Sequence, residues 1–413
     1  MVPVEIRRNI YGELRRELAE PQVLILVGPR QVGKTTLMRR LESDARAAGH
    51  RTRYLDLEQP SHLTFLQGQA AEVIESLTAN VDLVFVDEFY YLKDAGRLFK
   101  AIYDRSERTG KRVKIVASGS SSVEVHAHLR ESLAGRRITY RVFPLSWMEY
   151  RDWDVPNRPS FEDYLRYGGL PGLSNVGDEE RKQQLLQEYL STYLFKDVKG
   201  LVKEENIRAF NHLLHLLAQN QGQLVEASSL ARELGVSAPT VSNYLTVLDQ
   251  TYVNFLLPSY HSNLANELKK SRKTYLYDLG IRNSILKDFR PTGEREDRGA
   301  IHESHVFLTL LPLLSPNMEL RFWRTKKKEE VDFILVKDRQ PFPIEVKSRL
   351  SRPVPPAGLL AFCRRYPKVC HTFTVSARAL PPVEDGGRTH HFLGFDEVPI
   401  ILDAMRGIAP SSE

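Results

Sequence analysis

The stretch Gly28-Pro29-Arg30-Gln31-Val32-Gly33-Lys34-Thr35 has the spacing G-x-x-x-x-G-K-T. It follows the apolar run 23–27, which is typical of a buried strand, and it precedes residues 36–41, whose apolar spacing is helical. Glycines let backbone N–H groups wrap a phosphate chain, and the amino end of the following helix adds positive dipole at the same place. The stretch therefore predicts a phosphate-binding loop between a strand and a helix.

The residues of this loop have separate expected roles. Lys34 is expected to reach the β- and γ-phosphates of ATP as a catalytic cation, and Thr35 is expected to bind Mg²⁺ through its hydroxyl. The residues expected to contact the nucleotide are Gly28, Pro29, Arg30, Gln31, Val32, Gly33, Lys34, Thr35 and Thr36. The alternative is a chance glycine-rich turn before a helix.

Two acidic residues, Asp87 and Glu88, end a second apolar run at 81–86. Asp87 is expected to anchor the Mg²⁺ shell, and Glu88 is expected to polarise the attacking water. Acids at a strand end are common, but paired with the upstream loop they form a Walker B pattern. The pair therefore predicts hydrolysis and not nucleotide binding alone. A further strand is predicted at 53–58.

Polar residues follow the next predicted strand, 112–120. Ser118 or Ser120 would contact the γ-phosphate or the attacking water, and the alternative for each is an ordinary Ser/Gly-rich turn. Arg136 would act as an arginine finger on the ATP of a neighbouring subunit, and its alternative is a surface arginine.

Composition limits the class of protein. The chain has 413 residues, 42% of them apolar and 27% charged, which predicts a globular protein of two to four domains. Lys and Arg exceed Asp and Glu by 58 − 52 = 6, so a nucleic-acid partner is permitted but not demanded. The two cysteines match no metal spacing, and no signal peptide or membrane span is evident. We expect a cytoplasmic protein with no membrane partner.

The segment 201–278 predicts a winged helix. Helices are expected at 204–220 and 226–235, and Ser237 is expected to cap a third helix whose apolar residues recur with helical spacing. Strands are expected at 253–257 and 273–277. The third helix would contact DNA through Thr240 and Asn243, but its exposed face has no Lys or Arg. The basic run 269–273 makes the wing the favoured DNA contact, and a structural or protein-docking role is the alternative.

Asp332, Glu345 and Lys347 form the pattern D-x₁₂-E-x-K, which resembles the core of PD-(D/E)XK nucleases. The resemblance implies that Asp332 and Glu345 coordinate Mg²⁺, that Glu303 completes the acidic pocket, and that Lys347 activates water or stabilises phosphate charge as a catalytic residue. The alternative is a nuclease-like domain that binds DNA without cutting it.

A series of longer strings resembles one family across nearly the whole chain. The strings are GPRQVGKTT, LDLE, VDEFYYL, SGSSS, LAGRR, FPLSWMEY, YGGLPG, YLSTYLFKDV, TVSNYLTVLDQTYVNFLLPSY and KTYLYDLGIRNSIL. The chain is similar to bacterial and archaeal AAA-type ATPases that carry a C-terminal domain of unknown function. The resemblance implies an ATPase with a RecA-like sheet that acts as an oligomer.

We therefore predict an α/β protein with four parts. They are a RecA-like P-loop ATPase core at 1–143, a helical lid or connector at 144–200, the winged helix at 201–278 and an α/β PD-(D/E)XK nuclease-like domain at 279–413.

The predicted function is Mg²⁺-dependent ATP hydrolysis coupled to binding or remodelling of DNA. Duplex or branched DNA, such as a Holliday junction, is the expected partner, and the chain is expected to form a homo-oligomer, with a hexamer as the candidate. The alternative is a regulatory NTPase switch whose winged helix docks a protein partner and whose nuclease-like domain is inactive.

Overall fold

The structure is a computed structural model that describes residues 7–120, 133–152, 159–192, 207–261 and 272–405. The chain divides into two compact units. The first unit contains the described residues up to Leu145, together with Leu170–Gly172 and Gln250–Val253. The second unit contains the other described residues, so the connector, the predicted winged helix and the predicted third domain lie mostly in one compact unit.

The first unit is built on a parallel five-stranded sheet. Its elements are α1 (Tyr11–Glu17), β1 (Val23–Gly28), α2 (Lys34–Ala47), β2 (Thr52–Asp56), α3 (Pro60–Leu66), α4 (Ala70–Thr78), β3 (Leu83–Asp87), α5 (Ala95–Thr109), β4 (Lys114–Ser120) and β5 (Arg137–Arg141). The strand order is β2-β3-β4-β1-β5. Every residue of β1 and β3 is buried, which means that both faces of the sheet are covered.

The sheet brings the predicted site residues to one edge. β4 lies between β1 and β3, and its register pairs Leu26 with Ser118 and Val86 with Ala117. Because parallel strands end at the same edge, the loop after β1, Asp87 and Glu88 at the end of β3, and Ser118 on β4 meet at the carboxyl edge.

The second unit has two sheets and more helices. Its elements are α6 (Trp147–Arg151), α7 (Phe161–Tyr167), α8 (Glu179–Thr192), α9 (Ile207–Gln219), β6 (Leu224–Val225), α10 (Ala227–Leu234), α11 (Ala238–Gln250), β7 (Asn254–Leu257), β8 (Arg272–Leu276), α12 (Leu279–Leu286), α13 (Arg298–Leu310), β9 (Met318–Arg324), β10 (Glu330–Lys337), β11 (Gln340–Val346), α14 (Ala357–Arg365), β12 (His371–Ser376), β13 (Leu380–Asp385), β14 (Arg388–Gly394) and α15 (Ile400–Ala404). A three-stranded sheet has the order β6-β8-β7, and a six-stranded sheet has the order β13-β14-β12-β11-β10-β9.

Helix α11 follows its sequence pattern. The backbone N–H of Thr240 donates to the Ser237 hydroxyl at 3.2 Å, which is the expected cap. Val241, Tyr244, Leu245 and Leu248, the apolar residues with helical spacing, are buried. The edge of the Tyr244 ring packs on Phe210 of α9, with centroids 5.4 Å apart. The apolar face of α11 is therefore buried, while Ser242, Asn243 and Thr246 are exposed.

Strand β8 is joined by aromatic packing to both α13 and β10. The Tyr275 ring stacks on Phe307 with centroids 4.2 Å apart, and Phe333 lies 5.9 Å from Tyr275. All three side chains are completely buried. This packing holds the polar residue two positions earlier on β8, Lys273, against acidic residues of α13 and β10.

In the part of the chain that the structure describes, no helix has the length and apolar character needed to cross a membrane.

Candidate functional site

The loop after β1 adopts a backbone that requires glycine at both of its ends. Gly28 has φ +155°, and a Cβ there would lie 2.2 Å from the carbonyl oxygen of Val142. Gly33 has φ +92° immediately before the first turn of α2. The two glycines of the motif are therefore fixed by close approach and by left-handed geometry.

Lys34 is a buried cation whose hydrogen-bond partners are neutral. Its residue is only 4% exposed, and its Nζ donates to the carbonyl oxygens of Gly28 at 3.0 Å and Pro29 at 2.7 Å. Burial lowers the pKa of Lys34 to about 8, while Glu88 and Asp87 act in the opposite direction. The positive charge is thus poorly compensated, which is the condition that favours an anionic ligand.

Asp87 is held in place by two hydroxyl groups. Tyr54 donates to its Oδ2 at 2.8 Å, and Ser118 donates to its Oδ1. Burial, followed by the neighbouring Asp87 charge, raises the pKa of Tyr54 far above its usual value, so the phenol keeps its proton. Ser118 therefore orients Asp87, and the side chain of Ser120 lies outside the described residues.

The residues at the carboxyl edge fit Mg²⁺ chemically. Asp87 offers a hard carboxylate oxygen whose orientation is fixed, and Thr35, in the first turn of α2, offers a hydroxyl. Glu88 follows directly in a left-handed conformation, φ +54°, which is uncommon for a residue with a side chain. Such local strain is frequent at functional sites.

Arg136 lies at the amino edge of the sheet, opposite the carboxyl edge that carries the phosphate loop. The N–H of Val23, the first residue of β1, donates to the Arg136 carbonyl at 2.8 Å, and Arg136 Nε pairs with Asp104 Oδ1 at 3.1 Å. With a rise of about 3.3 Å per residue, the six-residue β1 separates it from the loop by roughly 20 Å. Arg136 does not join the nucleotide site of its own chain.

Arg8 is a residue near the loop that sequence reasoning missed. Its Nη1 donates to the Val32 carbonyl at 2.8 Å, and its Nη2 donates to the Phe143 carbonyl at 2.7 Å. It therefore braces the phosphate loop against the segment after β5. No local pattern could predict this contact, because the partners are 24 and 135 positions away.

The second unit contains an acidic pocket, formed by Glu303, Glu330, Asp332 and Glu345. The structure brings together the three acids named from the sequence and adds Glu330. Lys347 Nζ donates to Glu345 Oε1 at 2.6 Å. Burial and the neighbouring Asp332 raise the pKa of both Glu303 and Glu345 above the usual value.

Lys273 lies inside this acidic pocket. Its Nζ is 2.9 Å from Glu303 Oε1, 2.7 Å from Glu330 Oε1 and 3.5 Å from Asp332 Oδ1. Burial alone would lower its pKa, but the three carboxylates raise it well above the ordinary value. Tyr275 also donates to Glu303 Oε1, at 2.6 Å.

The position of Lys273 corrects the expectation that it belongs to a basic, DNA-facing wing. The residue is 1% exposed and its charge is matched by carboxylates, so it is not available to phosphate. Arg272 is exposed, whereas Lys269 and Lys270 lie outside the described residues. On α11, the Thr240 hydroxyl is 2.7 Å from the Ser237 hydroxyl within the helix cap.

The acidic pocket does not fit a resident metal ion as it is arranged. Over the described ranges, no group of three or more His, Cys, Asp or Glu side chains is placed to hold one. The Lys273 ammonium stands between carboxylates that a metal would need. Coordination of Mg²⁺ by Glu303, Asp332 and Glu345 therefore remains a prediction without geometric support.

Comparison with protein-family models finds three matches. Residues 20–151 match the model described as AAA domain. Residues 158–292 and 298–385 match two models described as domains of unknown function, DUF8612 and DUF4143. The first match includes the phosphate loop, Asp87 and Glu88, so the expectation of an AAA-type P-loop ATPase is confirmed at this level.

Curated relatives are similar over most of the chain. The uncharacterized protein Rv2008c of Mycobacterium tuberculosis is 30% identical over 349 residues, covering 84% of this chain and 75% of the relative. The uncharacterized protein MJ1544 of Methanocaldococcus jannaschii is 25% identical over 276 residues, covering 62% of this chain and 59% of the relative.

Solved structures are similar at a low level. AMPPCP-bound DnaA from Aquifex aeolicus gives a TM-score of 0.31 with 14% identity and covers 60% of this chain and 89% of that chain. Pif1 helicase from Candida albicans gives a TM-score of 0.27 with 14% identity and covers 45% of this chain and 48% of that chain. TM-scores this low do not show that these proteins share an overall arrangement with this chain.

Proposed function

The chain belongs to the family represented by the uncharacterized protein Rv2008c of Mycobacterium tuberculosis, its residues 20–151 match an AAA domain, and we propose that it is an Mg²⁺-dependent ATPase. The observation that carries the proposal is Lys34, a buried ammonium whose hydrogen bonds within the described residues go to two loop carbonyls at the carboxyl edge of the sheet. A polyphosphate supplies the negative charge that this position lacks.

The chain's own residues divide the work of hydrolysis. Lys34 neutralises charge on the β- and γ-phosphates, and the loop N–H groups hold the phosphate chain. Thr35 and Asp87 would hold Mg²⁺, which supplies further neutralisation of phosphate charge when bound. Tyr54 and Ser118 keep the Asp87 carboxylate oriented. Glu88 orients the attacking water and accepts its proton.

The experiment that tests this site compares two buried lysines of the same sheet. Lys114 resembles Lys34, since its Nζ donates to the carbonyls of Glu20 at 3.1 Å and Gln22 at 2.7 Å and its pKa is lowered to about 8. It begins β4 at the amino edge, away from the loop. Lys34→Met is expected to remove ATP binding and turnover, and Lys114→Met is expected to retain both. Equal nucleotide affinity in the two variants would contradict the proposal.

We infer that Arg136 completes a neighbouring subunit's site in an oligomer. Its distance from its own loop excludes action in cis and is compatible with action in trans, while the Asp104 ion pair suits the alternative of a surface residue. Arg136→Ala and Lys34→Met subunits are each expected to be inactive alone and to recover turnover when mixed, because the mixture contains sites with both residues intact. Full activity of Arg136→Ala alone would assign this arginine to the surface.

Size measurement with and without ATP would give the subunit number, for which a hexamer is the candidate.

We further infer that ATP hydrolysis is coupled to DNA. The turn Lys326–Lys328 between β9 and β10 is exposed and carries three positive charges, which suits phosphate contact. The expected substrates are duplex or branched DNA, with a four-way junction as the specific candidate, and the predicted winged helix would contribute Asn243 from its exposed face.

The DNA proposal is tested by ATP turnover with duplex, single-stranded and four-way DNA at increasing salt. The double variant Lys326→Ala/Lys327→Ala is expected to bind DNA more weakly and to reduce the slope of log affinity against log salt by about 2. The double variant Arg15→Ala/Arg16→Ala removes the same charge from exposed positions of α1 and serves as the control.

The second candidate function is a regulatory NTPase switch. It is favoured by the exposed face of α11, which presents Ser242, Asn243 and Thr246 and no Lys or Arg. A turnover rate that no DNA changes would favour this function, in which α11 docks a protein partner.

A further inference from the structure

The acidic pocket of the second unit contains a positive charge from within the chain, carried by a lysine that comes from a different sheet. Lys273 lies on the central strand of the three-stranded sheet, opposite Leu224 of β6 and Leu257 of β7. Glu330 and Asp332 lie on β10 of the six-stranded sheet, and Glu303 lies on α13. One ammonium therefore connects three elements that are far apart in sequence.

Carboxylates of three residues surround the ammonium in this arrangement. An ammonium has three N–H donors, and three carboxylate oxygens lie 2.7, 2.9 and 3.5 Å from Lys273 Nζ. The side chain is 2% exposed. The group is thus desolvated and paired with opposite charge, which is the condition under which a buried charge is tolerated.

The surrounding structure is shaped to keep Lys273 in place. Lys273 and Tyr275 point to the same face of β8, and both approach Glu303 Oε1. The Tyr275 ring stacks on Phe307, one helical turn after Glu303. Gly222 has φ +75°, and a Cβ there would lie 3.0 Å from Glu303 Oε1. The backbone therefore closes over the same carboxylate that Lys273 binds.

We propose that Lys273 is a tethered cation that takes the place of a divalent metal ion in the acidic pocket, so that the pocket joins β8 to α13 and β10 instead of cutting DNA. A metal ion bound by Glu303 and Asp332 would compete with the ammonium for the same oxygens and be repelled by its charge. Lys347 already binds one oxygen of Glu345. The D-x₁₂-E-x-K pattern is thereby retained while its metal is replaced by a side chain.

The test is a titration of the full chain with Mn²⁺ in the absence of nucleotide, followed by electron paramagnetic resonance of free Mn²⁺. The variants are Lys273→Met, which removes the charge and retains the length, and Lys347→Met, which removes the other lysine of the pocket. The wild type and Lys347→Met are expected to show no Mn²⁺ binding that depends on Asp332. Lys273→Met is expected to gain one Mn²⁺ site that is at least about tenfold tighter than any binding by the wild type. Adding Asp332→Asn is expected to abolish this site.

Three results would overturn the proposal. The first is Mn²⁺ binding by the wild type that Asp332→Asn removes, and the second is a folded Lys273→Met that gains no site. If Lys273→Met does not fold, the wild type and Asp332→Asn alone decide the question, with equal and negligible Mn²⁺ binding as the supporting result. DNA cleavage by the wild type with Mn²⁺ that is lost in Asp332→Asn would also overturn it. Because nucleotide is omitted, failure here is distinguishable from failure of the ATPase proposal.

Discussion

Lys34 and Lys273 are equally inaccessible lysines in opposite surroundings. They are 4% and 1% exposed, but Lys34 donates to two backbone carbonyls, whereas Lys273 lies among three carboxylates. The pKa of Lys34 is lowered to about 8 and that of Lys273 is raised. A buried lysine therefore identifies a ligand site only when its charge is left uncompensated. The P-loop lysine meets that condition and the lysine of the acidic pocket does not.

The largest expected difference between the two lysines is in stability. Lys273→Met is expected to lower the free energy of unfolding by about 3–5 kcal/mol, because three partly or fully buried carboxylates lose their counterion. Lys34→Met is expected to change it by less than about 1 kcal/mol, because the hydrogen-bond partners of Lys34 among the described residues are neutral carbonyls and not carboxylates. Urea unfolding followed by circular dichroism checks both values. Similar losses in the two variants would remove the distinction.

The next effect concerns the acid beside Lys34. Glu88→Gln is expected to reduce kcat for ATP by about 100-fold or more, because an amide does not accept the proton of the attacking water. ATP affinity is expected to stay within about threefold, because Lys34 and the loop still hold the phosphates. Phosphate release and nucleotide titration measure the two quantities. A loss of affinity without a loss of kcat would place Glu88 in binding.

A smaller effect of pH is expected at Lys114, the second lysine with carbonyl partners. Its folded-state pKa is lowered from 10.5 to about 8 by burial. Between these values the unfolded chain binds more protons, so stability from this group rises with pH. The free energy of unfolding of the wild type, relative to that of Lys114→Met, is expected to increase by about 2 kcal/mol between roughly pH 7 and pH 10. Paired urea titrations at the two pH values measure the gain, and a constant difference would contradict it.

The smallest effect is expected at the hydroxyl that holds Asp87. Tyr54→Phe removes one hydrogen bond and retains the stacking of the ring on Phe85, so a stability loss of about 1 kcal/mol is expected. The Mg²⁺ concentration for half-maximal turnover is expected to rise, because Asp87 is less well oriented. Tyr11→Phe removes a comparable bond to Asp44 Oδ2, 2.5 Å long, and is the control that leaves Mg²⁺ dependence unchanged.

Local patterns predicted the elements near the nucleotide site well. The strand predicted at 53–58 is β2 at Thr52–Asp56, and the apolar run before Asp87 is β3 at Leu83–Asp87. Helices α9 and α11 and strands β7 and β8 also lie where periodicity placed them, within the described residues. These predictions succeeded because strand burial and helix amphipathicity are written in neighbouring residues.

The contacts that sequence reasoning missed are between residues distant in the chain. Tyr54 reaches Asp87 across neighbouring strands, and Arg8 reaches Phe143 across the first unit. Lys273 was placed on an exposed wing because it ends a basic run, and a run of charges usually indicates a solvated surface. Alternation along β8 puts Lys273 and Tyr275 on the same face of the strand. That this face meets the acidic pocket depends on the packing of α13 and β10, which no local pattern reveals.

The sequence by itself determined the phosphate-loop motif, the two acids at the end of β3 and the approximate positions of strands β1 to β4, because each depends on residue types at fixed short spacings. Only the tertiary structure decided where the charges lie relative to one another. It placed Arg136 at the edge of the sheet away from its own loop and Lys273 among the carboxylates of the predicted nuclease-like site. Electrostatic interactions depend on distance and burial in three dimensions, and these are set when separate segments pack together.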